Sequence, residues 1–409
     1  MAGVVIVGAG HGGTQLAASL RDEGYTGEID LVSADPDHPY HKPPLSKSFM
    51  KTEDAPLQPL RAEVYFAEKD IRLHLGQAVS GIDRVSRTVE LADGGRLPYE
   101  ALVLATGTEA RRLALPGHDL AGVHVLRTAG DARALRRALP GAVNVVVIGG
   151  GFIGLEAAAM LAGRGLSVTV AELAPRLLGR SASVSVAHAV ADELGTQGVR
   201  VLTGISVEAI EGEGRVSAVR LGGEVLPADL VIVGIGAAPV DGLAQAAGLA
   251  VENGIVVDAT LATSDPHVFA LGDCANFPEI HSGRRMRLES VQNATDQARA
   301  LAATLAGRPA VYGALPWFWS DIGPLKLQIA GITNAANEAI ETLDSAGRLK
   351  SVYHLSNGRL VAVETLNSGG EHMLARRLLN DSVTPPRDVL ATGDVAQIKA
   401  AWQAKAFTV

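Results

Sequence analysis

The chain has 409 residues, 47% of them hydrophobic and 20% charged, enough for two or three domains with substantial cores. A formal net charge of −8 argues against broad contact with nucleic acid or an anionic membrane. A single cysteine, Cys274, excludes any disulfide within the chain and suits a reducing, cytoplasmic setting. No basic leader precedes the first apolar run, so no signal peptide is expected.

Val4–Val7 reads as a short buried strand that runs into Gly8-x-Gly10-x-x-Gly13. A helix over 13–22 and a strand at Ile29–Val32 complete a βαβ unit. In such units the first glycine allows the tight turn, the second lets backbone approach a pyrophosphate, and the third lets the helix close on the strand. An acid near the end of the second strand receives ribose hydroxyls, and here Asp35, displaced by a residue or two, is the one available. The stiff segment Pro39-Tyr40-His41-Lys42-Pro43-Pro44-Leu45-Ser46-Lys47 then presents Lys42 and Lys47 from a proline-held loop. Residues 71–91 read as a small β meander ahead of an Asp93-Gly94-Gly95 turn, and Leu102–Leu104 as another buried strand, entering Ala105-Thr106-Gly107.

A crossover at 111–116 and a helix at 131–139 lead into the second glycine motif. There Val143–Ile148 enters Gly149-x-Gly151-x-x-Gly154, with Ile153 inside the motif and Glu156 two residues beyond it. Its three glycines and Glu156 make this strand plus buried helix, although the run is apolar enough to resemble a membrane span. Glu172 closes the following strand, where a carboxylate accepts a free 2′-hydroxyl and repels a 2′-phosphate, which favours NADH over NADPH. Arg176 and Arg180 stand nearby and pull the other way. Leu230–Val233 again runs into glycines, including Gly236.

A third nucleotide-related signal is the strand that delivers Gly272-Asp273, where a carboxylate can receive polyol hydroxyls. Ser290 and Val291 then open a helix whose dipole would stabilise negative charge. From Trp317 onward the pattern becomes strands around turns such as Asn357-Gly358, followed by helices, which reads as an α+β domain. All three tryptophans lie in this part, and Trp319 is offered either to the core or as a wall against a planar cofactor. Two dinucleotide units in one chain point to hydride transfer from a nicotinamide to a flavin.

The strings Pro43-Pro44-Leu45-Ser46-Lys47, Ala105-Thr106-Gly107, Gly272-Asp273, Arg287-Leu288-Glu289-Ser290-Val291-Gln292-Asn293 and Pro316-Trp317-Phe318-Trp319-Ser320-Asp321 carry a family resemblance. The chain resembles the FAD-dependent ferredoxin reductases of oxygenase systems over nearly its whole length. The resemblance implies an α/β, glutathione-reductase-like fold of two Rossmann-type domains and a C-terminal α+β domain. It places FAD binding in 1–110 and 240–316, NAD binding in 111–239 and the C-terminal domain at 317–409. It assigns to FAD Gly8, Gly10, Gly13, Asp35, Lys42, Lys47, Ala105, Thr106, Gly107, Asp273, Ser290, Val291 and Trp319. To NAD it assigns Gly149, Gly151, Ile153, Gly154, Glu156, Glu172 and Gly236. It implies that Lys47 and Glu156 form a catalytic ion pair beside the flavin, with no metal required. Ala34 departs from the pattern, standing where relatives have the ribose acid.

The expected partner is an acidic 2Fe-2S ferredoxin feeding a haem monooxygenase or a Rieske-type dioxygenase, met by a basic patch drawn from Arg284, Arg285, Arg287, Arg308 and Lys326. A monomer or weak dimer that binds neither nucleic acid nor membrane is expected. Two other readings stay open: a rubredoxin reductase or flavin NADH oxidase, and a redox-gated interaction protein resembling apoptosis-inducing factor.

Overall fold

The computed structural model describes residues 3–52, 54–309, 311–333 and 336–406. The chain divides into two compact units, one formed by Met1–Lys42, Pro56–Glu109 and Ala237–Pro316, the other by Pro43–Ala55, Ala110–Gly236 and Trp317–Val409.

The first unit is built on parallel strands in the order Ile71–His74, Ile29–Val32, Gly3–Val7, Arg96–Leu104, with Val268–Ala270 also paired to Arg96–Leu104. Gly3–Val7 and Ile29–Val32 are buried at every position, as parallel strands covered on both faces must be. The register sets Val7 opposite both Val32 and Leu104, and Leu104 opposite Ala270. The carboxyl ends of four strands therefore share one edge. Helices His11–Asp22 and Val291–Leu305 pack against each other there. The meander expected over 71–91 is not one piece. Ile71–His74 joins the parallel sheet beside Ile29–Val32, while Val79–Asp83 and Thr88–Leu91 pair antiparallel and continue onto Arg96–Leu104. Alternating burial in these short strands looks alike in both settings, so only pairing separates them.

The second unit holds a parallel sheet in the order Arg200–Thr203, Ser167–Glu172, Asn144–Ile148, Leu230–Val233, Val123–Val125. A three-stranded antiparallel sheet of Val207–Glu211, Ala218–Leu221 and Glu224–Pro227 accompanies it. The C-terminal part is a five-stranded antiparallel sheet, ordered Trp317–Ile322, Leu325–Gly331, Arg359–Leu366, Leu349–Ser356, Glu338–Leu343, followed by helices Gly369–Asn380, Arg387–Ala391 and Val395–Ala406. The segment Pro43–Ala55, two short 3-10 turns at Pro43–Ser46 and Ser48–Met50, belongs to this unit and not to the first. Among the described residues no helix is long and apolar enough to cross a membrane.

Candidate functional site: two glycine cradles and a buried carboxylate

Both glycine motifs adopt the same local geometry. Gly8 and Gly149 have φ of +110° and +109°, which only glycine takes without strain. A Cβ on Gly13 would meet the Gly8 carbonyl oxygen at 1.9 Å, and one on Gly154 would meet the Gly149 carbonyl oxygen at 2.3 Å. By contrast, a Cβ on Gly10 would face open space, and one on Gly151 would find only the Gly234 oxygen, at 3.9 Å. The outer glycines close helix on strand, and the middle one leaves room for a ligand. Gly10 and Gly151 also cap their helices without any side-chain hydrogen bond, so the first-turn N–H groups point outward, as a pyrophosphate requires. These observations fit FAD in the first cradle and a pyridine nucleotide in the second.

In the first unit the other expected residues gather at the same strand edge. Ala105 follows the strand next to Gly8 closely enough that a Gly8 Cβ would strike its carbonyl at 2.2 Å. The Thr106 hydroxyl donates to the Val240 carbonyl at 2.6 Å, tying down the turn that ends at Gly107. Asp273 lies on a 3-10 turn just past Val268–Ala270, with the Thr108 hydroxyl 3.4 Å from its Oδ2. Ser290 caps the helix Val291–Leu305 by accepting the Asn293 N–H at 3.0 Å. Asp35 is held by the Tyr40 hydroxyl at 2.7 Å on Oδ2 and by the Asp37 N–H at 3.1 Å on Oδ1. Lys42 is half-buried at the end of that loop. Cys274 is fully buried, with burial raising its thiol pKa and its Sγ 3.4 Å from the Leu104 carbonyl. Lys47 and Trp319 belong to the second unit.

In the second unit Glu172 ends its strand with Oε2 accepting from the glycine-loop Gly150 N–H at 2.5 Å and Oε1 accepting from the Ala174 N–H of its own following turn at 2.7 Å. Arg176 is turned onto its own loop and donates to the Gly179 and Ala182 carbonyls at 2.9 and 2.8 Å. Arg180 lies against Gly236, and Ile153 is exposed at the mouth of the cradle.

The most developed cluster surrounds Glu156, only 5% exposed on the helix Phe152–Ala162. Lys47 Nζ lies 2.7 Å from Oε2, the Ser46 hydroxyl donates to Oε2 at 2.6 Å, and the Ser320 hydroxyl donates to Oε1 at 2.6 Å. A matched spacing produces this. Phe152 and Glu156 lie one helical turn apart, about 6 Å of rise. Phe318 and Ser320 lie two residues apart on one strand face, about 6.6 Å. The Phe318 ring packs on Phe152 at 4.4 Å between centroids while Ser320 reaches Glu156. Trp317 and Trp319 take the opposite strand face, with ring centroids 5.6 Å apart. Trp317 also lies 5.6 Å from the His372 ring, and the Arg376 guanidinium sits 4.3 Å above it.

The sequence reading named Lys47 and Glu156 but not their two serine partners. The signal was present, since Ser46 and Ser320 stand inside the two most distinctive strings. Of the expected docking cations, Arg285 donates to the Val257 and Asn276 carbonyls, both at 2.7 Å. Arg287 donates to the Asp273 carbonyl at 2.6 Å and pairs with Glu289. Arg308 pairs with Glu23. Arg284 and Lys326 have exposed side chains.

Comparison with known proteins gives the family to which this architecture belongs. Residues 2–298 match the pyridine nucleotide-disulphide oxidoreductase model, and residues 317–401 match the reductase C-terminal model. A ferredoxin–NAD(P)+ reductase of Sphingomonas is 42% identical over 92% of both chains. The solved ferredoxin reductase for the CYP199A2 system of Rhodopseudomonas palustris is 41% identical, with a TM-score of 0.94 over 98% of this chain and 100% of that one. The reductase in a covalent putidaredoxin reductase–putidaredoxin complex is 38% identical, with a TM-score of 0.93 over 98% of each chain. With two glycine cradles, a reductase-type C-terminal domain and no cysteine pair, the chain belongs to the pyridine nucleotide-disulphide oxidoreductase family, among its ferredoxin reductases.

Proposed function

We propose that this chain is an NADH-dependent ferredoxin reductase that passes electrons to a 2Fe-2S ferredoxin serving a haem monooxygenase or a Rieske-type dioxygenase. The observation that carries the reading is the buried Glu156 with its three donors, on the helix that opens at the second cradle. FAD, when bound, takes two electrons from a hydride donor and releases them singly. The first cradle, Asp273, Asp35 and Lys42 hold it, with the Val291–Leu305 helix dipole favouring negative charge. Residues 1–110 and 240–316 supply most of that binding, 111–239 bind NADH, and 317–409 complete the enzyme with Ser320 on Glu156.

Glu172 receives the adenosine ribose. Arg176 is committed to its own loop, which leaves the exposed Arg180, against Gly236, as the nearby arginine that works against a preference for NADH. Lys47 supplies positive charge where electron density develops, and Glu156 balances that charge and seats the carboxamide of the nicotinamide. A cytoplasmic location and a single cysteine suit this chemistry.

The ferredoxin docks through local charge, since the reductase carries −8 overall. Arg285, Arg287 and Arg308 are engaged within the fold, so the docking role falls mainly to Arg284 and Lys326. The test is reduction of an added 2Fe-2S ferredoxin by NADH across a salt series, beside ferricyanide reduction. Ferredoxin reduction is expected to fall steeply with salt and the ferricyanide rate to hold. Rapid oxygen consumption without any ferredoxin reduction would instead identify a flavin oxidase.

A further inference from the structure

We propose that Arg136 and Arg164 are positioning residues for Lys47, strapping the Pro43–Ala55 segment to the nucleotide-binding helices so that its ammonium meets Glu156. The inference rests on the reading of Lys47 as a participant in hydride transfer. Lys47 joins the two 3-10 turns, its N–H donating to the Pro44 carbonyl at 3.0 Å and its own carbonyl accepting the Met50 N–H at 3.1 Å, while its φ of −133° and ψ of −105° belong to neither turn. Short 3-10 turns make few internal bonds and leave carbonyls open at their ends.

Two arginines collect those carbonyls. Arg136, in the last turn of the helix Ala129–Ala138, donates from Nη1 to Phe49, Thr52 and Ala55 oxygens at 3.3, 3.4 and 3.1 Å. Its guanidinium also lies 4.2 Å over the Phe49 ring. Arg164, two residues past the helix that carries Glu156, donates from Nη1 to Met50 and Lys51 oxygens at 2.5 and 3.2 Å. The helix and the turn that follows it thus grip the segment twice, through Glu156 on Ser46 and through Arg164 beyond Lys47.

Lys51 and Thr52 are exposed while Phe49 and Met50 are buried, so water would serve only part of these carbonyls. What each guanidinium adds is a fixed course for the loop, because one charged Nη1 donor shared by several carbonyls ties them to a common point in a way separate waters do not. Without them the segment regains backbone freedom, and among the described residues the Lys47 ammonium is left with the Pro43 carbonyl and Glu156 to hold it. Neighbouring Arg137 is exposed and serves as the control.

The test compares Arg136→Met, Arg164→Met and Arg137→Met holoenzymes by trypsin cleavage after Lys47 and Lys51, read by mass spectrometry, and by stopped-flow flavin reduction with NADH. Opening the strap is expected to speed cleavage about tenfold for Arg136→Met and Arg164→Met only. The limiting flavin-reduction rate should fall by about tenfold, within the range known for a reacting group displaced by about 1 Å. Dissociation constants for NAD+ should stay within about twofold of wild type. Adding Lys47→Ala to Arg136→Met should slow reduction no further than Lys47→Ala alone. Faster cleavage with an unchanged reduction rate would overturn the proposal, as would unchanged cleavage or independent, multiplying effects of the two substitutions. If Lys47→Ala alone leaves the rate intact, the underlying reading of Lys47 fails and the proposal with it.

Discussion

Replacing Lys47 by methionine tests the energetics of the Glu156 cluster directly. The carboxylate is 5% exposed, and Lys47 is the one cation on it among the described residues. Removing one partner of a fully buried pair costs about 3–5 kcal/mol because a charge is left uncompensated. Two features lower that figure here: the Lys47 side chain keeps 23% of its exposure, and the Ser46 and Ser320 hydroxyls still donate after it is gone. About 2 kcal/mol is therefore expected for Lys47→Met, with the range for buried partners as the upper bound. Glu156→Gln removes the charge that made the lysine necessary, so the double variant should cost no more than Lys47→Met alone. Urea unfolding followed by tryptophan emission reads this selectively, because Trp317, Trp319 and Trp402 all lie in the second unit. A cost below about 0.5 kcal/mol, typical of exposed pairs, would refute the argument. So would additivity of the two single variants within about 0.3 kcal/mol, since coupled neighbours depart from it.

Stability should also fall in mild acid because of His372. Its ring is 1% exposed, neither nitrogen has a hydrogen-bond partner among the described residues, and burial, aided by Arg376, pushes its pKa down to about 4. The unfolded chain binds that proton near pH 6.5 and the folded chain does not. The stabilising contribution is therefore complete above pH 6.5 and is lost as pH falls from there to about 4, up to about 3 kcal/mol. His372→Met should flatten that part of a stability–pH profile, and an unchanged slope would show that His372 takes up its proton in the folded state. The second cradle offers a matched pair of substitutions. Gly151→Ala should leave unfolding unchanged but weaken NAD+ binding measured by titration, because its Cβ enters the open loop. Gly154→Ala should destabilise the fold itself, because its Cβ would lie 2.3 Å from a backbone oxygen; equal melting curves for the two would contradict this.

Much of this architecture was legible from local pattern. Strand, glycine turn and helix follow one another within about 20 residues in each cradle, and the physics of the turn acts over that distance. Asp273 and Glu172 could be placed because each follows an apolar strand, and parallel strands deliver their carboxyl ends to a common edge. Ile71–His74 was misassigned because its partner, Ile29–Val32, lies some forty residues upstream, and a four-residue strand does not encode which neighbour it will pair with. The docking arginines illustrate the same limit. Composition marks Arg285 and Arg287 as charges, and only the folded backbone reveals that both are turned onto carbonyls.

By itself, then, the amino-acid sequence determined the two nucleotide cradles, the reductase-like class and the pairing of Lys47 with Glu156, since these rest on short motifs and family resemblance. Tertiary structure alone decided what surrounds that pair. Ser46 and Ser320 stand 110 and 164 residues from Glu156, and Arg136 stands 87 residues from the Phe49 carbonyl it holds. No local periodicity relates such positions. Ser320 meets Glu156 because a helix rising about 6 Å over four residues lies against a strand advancing about 6.6 Å per two residues. That match belongs to packing, as does the seating of the Pro43–Ala55 segment, and together they leave one buried carboxylate with three donors.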